Sequence, residues 1–176
     1  MKKELIFEGR KIRLSLAEIK LANGRVTRRE IVEHPGAVVV LPLFENGNVM
    51  LEDHYRFAID ANLIEAPAGT LKPGEDPLEC ARRELAEETG LVASEYIHLG
   101  SFYASPGVMT EVMHAYLAKQ IFRGERNLEE DEVLEPVEIP LDEAIRWVLS
   151  GRIADAKTIS TLFLAKSFLD KEKATA

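Results

Sequence analysis

Apolar and polar residues alternate in Ile12-Arg13-Leu14-Ser15-Leu16, the period of a half-buried strand. The Asn23-Gly24 pair that follows tolerates the positive φ of a tight turn, so a hairpin is predicted with residues 27–33 as its return strand. His34-Pro35-Gly36 interrupts that strand. The run 37–44 has no polar face, which predicts a strand buried on both sides, and Asn46-Gly47 turns it toward a partner strand over 49–56. Further strands are predicted over 96–103 and 113–121, and helices over 141–149 and 158–169. Strands mixed with a few helices indicate a layered α/β or α+β domain. The strands before residue 34 are set apart as an N-terminal unit, 1–33, from the remainder, 34–176.

A helix over 77–89 carries agreeing signals at both ends. Asp76 can cap its first turn, Pro77 suits the first helical position, Glu79 completes a capping box, and Gly90 supplies a left-handed stop. At about 100° per residue, Glu84, Glu87 and Glu88 share roughly a third of the circumference, beside an apolar stripe of Leu78, Ala81 and Leu85. Three neighbouring carboxylates repel one another. A magnesium ion, which takes carboxylates together with substrate phosphates and keeps several waters, would relieve that repulsion. Arg83 lies four residues before Glu87, so it can pair with it and orient the cluster. A solvated acidic face is the plainer reading of such a run, but it leaves Gly69, Glu75 and Arg83 at their offsets unexplained.

Composition narrows the partners. The chain has 176 residues, 46% of them hydrophobic, enough for one domain with a real core. Its net charge of −8 argues against a nucleic-acid surface, while phosphates remain accessible through a divalent cation. No apolar run approaches the roughly 20 residues of a membrane span, and the start Met1-Lys2-Lys3-Glu4-Leu5 lacks the apolar stretch of a signal peptide, so a cytoplasmic protein is expected. Cys80 is the single cysteine, which leaves no internal disulfide or cysteine-rich zinc site and suits a reducing compartment; a small core-side helix residue is its expected role. Charged residues at 30% with Gln120 as the single glutamine point weakly to a thermophilic source. His34, His54, His98 and His114 show no ligand spacing and are expected to be structural. Tyr55, Tyr103 and Trp147 could stack on a base, with packing as the default for each.

From Gly69 to Leu91 the chain reads GTLKPGEDPLECARRELAEETGL. This resembles the box of the Nudix family at each defined position: Gly69, Glu75, Arg83, Glu84, Leu85, Glu87, Glu88, Gly90 and Leu91. The resemblance implies an α/β/α sandwich with a mixed sheet, plus N-terminal antiparallel strands, and diphosphate hydrolysis with Mg²⁺, for which Mn²⁺ is a possible substitute. It implies Glu84 and Glu88 as metal ligands with Glu87 in the same cluster, and a tight loop at Gly69 that turns the Ala68 carbonyl toward a metal.

Outside the box, the chain is similar to the ADP-ribose pyrophosphatase branch at Arg29-Glu30, His34-Pro35-Gly36, Tyr55-Arg56, Glu65-Ala66-Pro67-Ala68-Gly69 and Ser105-Pro106-Gly107 followed by Glu111, with Pro106 sixteen residues after Gly90. That likeness implies ADP-ribose as substrate, with AMP and ribose 5-phosphate as products. Arg29 and Arg56 would hold phosphates and Glu111 the terminal ribose side. The likeness further implies a homodimer built on the N-terminal strands, and a catalytic base on an acidic loop, with Glu130 as the base and Glu132 as an added metal ligand. The box also admits NADH, dinucleoside polyphosphates and nucleotide sugars, and a module that senses a nucleotide without cutting it is the reading from another class.

Overall fold

A computed structural model describes residues 2–127 and 133–175. The first three strands, β1 (Lys2–Glu8), β2 (Arg13–Lys20) and β3 (Val26–Glu33), form an antiparallel sheet of their own in the order β1-β2-β3. Gly24, at φ 82°, makes the β2–β3 turn as Asn23-Gly24 predicts. The end of β3 is stitched to the rest of the chain by Val32 N–H donating to Val108 O at 2.8 Å and Thr110 N–H donating to Val32 O at 3.0 Å.

The strand after the His-Pro-Gly break, β4 (Ala37–Pro42), is buried at all six positions. Its side chains divide between two cores because successive residues of a strand face opposite sides of the sheet. Val39 and Leu41 pack with Leu51, Leu117, Ala144 and Leu162, whereas Val38 and Val40 pack with Cys80, Ala81, Leu85 and Tyr116. In the second group Cys80, Ala81 and Leu85 come from α1 (Pro77–Thr89), and in the first Ala144 comes from α2 (Leu141–Leu149) and Leu162 from α3 (Ala156–Thr175). Helices thus cover both faces, which is the α/β/α sandwich with a mixed sheet.

Around β4 the central sheet runs β7 (Ala68–Thr70), β4, β9 (Val112–Arg123), β8 (Leu91–Tyr103), with β4 and β9 parallel and the other pairs antiparallel. A further sheet runs β10 (Leu134–Pro140), β5 (Asn48–Arg56), β6 (Ala61–Glu65). The hairpin expected at Asn46-Gly47 is therefore corrected. The turn forms, with Gly47 at φ 82°, but β4 and β5 diverge into different sheets and share, among the described residues, the single bridge Leu43↔Val49. β4 finds stronger partners in β7 and β9, which sequence proximity does not reveal.

The helix signals at α1 are realised with one exception. Asp76 Oδ1 accepts from Leu78 N–H at 2.9 Å, and Gly90 adopts φ 67° with its N–H donating to Ala86 O. Glu79 does not close the capping box; its carboxylate lies on the helix surface, 3.7 Å from Arg82 Nε. Cys80 is fully buried, as expected of a core-side residue, and burial pushes its thiol up to about 12.

Candidate active site

The acidic face of α1 and the strand β7 are fitted to one another. Glu84 and Glu88 are buried, at 8% and 3% exposure, while the Glu87 side chain remains about a third exposed. Ala68 N–H donates to Glu88 Oε2 at 2.9 Å. A Cβ placed on Gly69 would fall 1.8 Å from the carboxyl carbon and one oxygen of Glu84, so glycine is the residue that lets the two elements approach.

Arg83 organises the acids. Its Nε and Nη2 form a fork on Glu75 at 2.9 and 3.0 Å, and its Nη1 bridges Glu84 at 2.7 Å and Glu87 at 2.9 Å. The pairing with Glu87 follows the helical spacing, but the fork on Glu75 is the stronger device and explains the distance between these two residues in the sequence. The Arg83 hydrogen bond holds the Glu75 carboxyl down at about 2 despite the opposing effect of burial. Part of the repulsion expected among the glutamates is thus relieved by a guanidinium before any metal ion is considered.

Among the described residues, no three His, Cys, Asp or Glu side chains are arranged around one point as a finished metal cage. The donor set nonetheless fits Mg²⁺, which keeps several waters and completes its shell with substrate phosphates, so that two buried carboxylates held by a backbone N–H and a neighbouring arginine suffice. Glu84 and Glu88 line a cavity of about 760 Å³, and so do Ala68, Gly69 and Arg83.

The same cavity is lined by Arg56 and Glu111. Arg56 Nε and Nη2 grip the two oxygens of the buried Glu65 at 2.8 and 2.6 Å. Glu111 sits 3.5 Å from His34 Nδ1, which itself accepts from Gly36 N–H. Of the residues singled out in the sequence, Ala68, Arg83, Glu84, Glu88, Arg56 and Glu111 meet in this one space. Glu87 does not line it, but is bound to Arg83, which does. Arg29 is not brought to it within its own chain; it is exposed on β3 and donates to Thr27 Oγ1 and Arg28 O. Glu130 and Glu132 lie outside the described residues.

His54 also lines the cavity, a placement that its isolation in the sequence gives no reason to expect. Burial, and then the charge of Arg56, lower its pKa, so it is held neutral. Arg10 and Lys11 from the β1–β2 turn, Asp155 just before α3 and Lys157 in its first turn complete parts of the lining. Read as sequence, each is an ordinary charged surface residue, and no local pattern marks it. Of the aromatic candidates, Tyr103 reaches the cavity. Tyr55 is hydrogen-bonded to Asp60 and packed edge-on against Phe57, and Trp147 is covered by Arg152 at 3.4 Å, so packing describes both.

An α/β/α sandwich whose helix-borne glutamates and arginine are seated on a glycine strand defines the class, and comparison with known proteins agrees. The chain belongs to the Nudix family: the family described as the NUDIX domain matches residues 33–162. The chain is 40% identical over 161 residues to the methanol dehydrogenase activator of Bacillus methanolicus, covering 90% of this chain and 87% of that protein. It is likewise 40% identical over 158 residues to the ADP-ribose pyrophosphatase of Bacillus subtilis (strain 168), covering 89% and 85%. In fold it is similar to a crystal structure described as an ADP compounds hydrolase, with a TM-score of 0.86 over 98% of this chain and 94% of that one, at 22% identity. No helix among the described residues is long and apolar enough to cross a membrane.

Proposed function

We propose that this protein hydrolyses the diphosphate of ADP-ribose to AMP and ribose 5-phosphate. The observation that carries the reading is the convergence of the buried pair Glu84 and Glu88 with Arg56 and Glu111 in one cavity. Glu84 and Glu88, with the Ala68 carbonyl, would hold Mg²⁺ or its substitute Mn²⁺, which supplies charge neutralisation at the phosphates and activation of water. Arg83 keeps Glu84 and Glu87 in place, through Nη1, while its fork on Glu75 fixes the guanidinium. Arg56, with Nε and Nη2 committed to Glu65, has Nη1 left to meet a phosphate oxygen. Glu111 accepts hydrogen bonds from the terminal ribose.

Cleavage requires a bond from a water oxygen to phosphorus as the bridging P–O bond breaks, and a base to take the proton of that water. Glu130 is assigned that role and Glu132 an added metal contact, because carboxylates committed to a cation lose basicity. Glu130→Gln should lower kcat at least about a hundredfold with ADP-ribose binding retained, and Glu132→Gln should chiefly raise the Mg²⁺ requirement. Normal turnover in both variants would remove the assignment.

The N-terminal sheet supports a homodimer. Leu5, Ile6 and Phe7 of the edge strand β1 are all more than half exposed, apolar side chains that an interface would cover. In that arrangement the N-terminal unit, 1–33, is the dimerisation element and Arg29 serves the partner's cavity. Light scattering should give twice the 19.7 kDa chain mass; a monomer at micromolar concentration would refute it. A cytoplasmic location accords with the chemistry of the substrate and with a single buried thiol. The reading is tested by comparing kcat/KM for ADP-ribose, NADH, a dinucleoside polyphosphate and a nucleotide sugar. ADP-ribose should lead by about tenfold or more, and a higher value for any other substrate would reassign the specificity.

A further inference from the structure

The carboxylate of Glu65 is 2% exposed, yet it is shared by two cations from different elements: Arg56 of β5 and Lys157 of α3. Burial pushes this carboxyl up, but the bonds from Arg56 and Lys157 outweigh it and hold the group ionised. Lys157 Nζ also lies 3.0 Å from Asp155 Oδ2. That same oxygen accepts from Thr158 N–H at 2.9 Å and from Thr158 Oγ1 at 2.6 Å. Thr158 Oγ1 in turn accepts from Ala66 N–H at 2.8 Å. Ala66 is the chain neighbour of Glu65, so the contacts close a ring: Glu65, Lys157, Asp155, Thr158, Ala66 and back through one peptide bond. Two residues beyond the ring, Ala68 N–H binds Glu88.

The ring therefore ties the start of α3 to both sides of the site, to Arg56 through Glu65 and to the α1 carboxylates through Ala68. We infer that Lys157 is a positioning residue that fixes Glu65 and, through it, aims the Arg56 guanidinium at the substrate diphosphate; this rests on the function proposed above. The geometry gives the reason. Glu65 Oε2 is the oxygen shared between Arg56 Nη2 and Lys157, so without the lysine one carboxylate would answer a single cation and could rotate with it. Thr158 would still hold Ala66, which separates the two arms of the ring: the Ala68 side keeps an anchor, and the Arg56 side loses one. Loss of Lys157 should thus weaken phosphate binding and spare the metal requirement.

The experiment is steady-state kinetics on ADP-ribose at saturating Mg²⁺, with the Mg²⁺ concentration for half-maximal rate measured alongside. Lys157→Met should raise KM about tenfold with kcat within about threefold of wild type and an unchanged Mg²⁺ requirement. Lys157→Arg, which keeps the charge and can reach both carboxylates, should restore KM to within about twofold. In an Arg56→Lys background, Lys157→Met should add less than about twofold, because the lysine acts through the arginine. Where the Met variant is unstable, Lys157→Gln, which keeps hydrogen bonding without charge, should give the same pattern. An unchanged KM in Lys157→Met, or a full tenfold increment on top of Arg56→Lys, would overturn the inference while leaving the proposed activity intact. A wild-type protein that does not turn over ADP-ribose would overturn both.

Discussion

Glu88→Gln is expected to lower kcat roughly a thousandfold or more while the protein stays folded. The side chain is 3% exposed, and its Oε2 accepts from Ala68 N–H at 2.9 Å. A glutamine oxygen can accept that same bond and fills the same volume, so the packing of α1 on β7 survives. What disappears is the negative charge, and a neutral amide oxygen is a poor ligand for a hard, strongly hydrated cation. Circular dichroism and thermal unfolding should be near wild type, while turnover remains low even when Mg²⁺ is raised. A variant that keeps wild-type turnover at limiting Mg²⁺ would show that Glu88 is a packing residue.

Gly69→Ala is expected to impair both activity and stability, through geometry alone. The added methyl would lie 1.8 Å from the Glu84 carboxyl, well inside contact distance, and Glu84 is itself buried and bonded to Arg83. Either β7 moves away from α1 or Glu84 swings from its place, and the backbone shift also disturbs the neighbouring Ala68 contact to Glu88. Displacements of about 1 Å at a catalytic constellation cost on the order of a hundredfold in rate, and overpacking of this kind costs about 1–3 kcal/mol. Activity within a fewfold of wild type, with an unchanged melting temperature, would mean that β7 and α1 have slack which this structure does not contain.

The acidic face that carries Glu88 was legible in the sequence because the information that specifies it is local, whereas Gly69 stood out through the resemblance to the Nudix box, and its close approach to Glu84 only in the fold. Helix caps, the 3.6-residue period and the spacing of Arg83, Glu84, Glu87 and Glu88 all act within α1. The run that becomes β4 was equally legible, since a strand covered by helices on both faces has no polar side. The missed parts depend on distant partners. β4 and β5 are neighbours across Asn46-Gly47 and yet belong to different sheets, because β4 pairs with β9, more than seventy residues on. β10 is an edge strand containing Pro136 and Pro140, residues that argue against a strand unless an unpaired edge is available. β7 has three residues, too few for any period. The cavity residues His54, Asp155 and Lys157 escaped for the same reason: only the packing of α3 against the β6–β7 segment gives them a shared place.

Whether this acidic pair serves a metal-dependent cut of a diphosphate is decided by incubating the protein with ADP-ribose in Mg²⁺ or in EDTA and identifying the products by mass. AMP and ribose 5-phosphate in equal amounts with Mg²⁺, and intact ADP-ribose with EDTA, are the predicted results. Intact ADP-ribose in both, with the nucleotide merely bound, would show a module that senses the nucleotide and does not hydrolyse it.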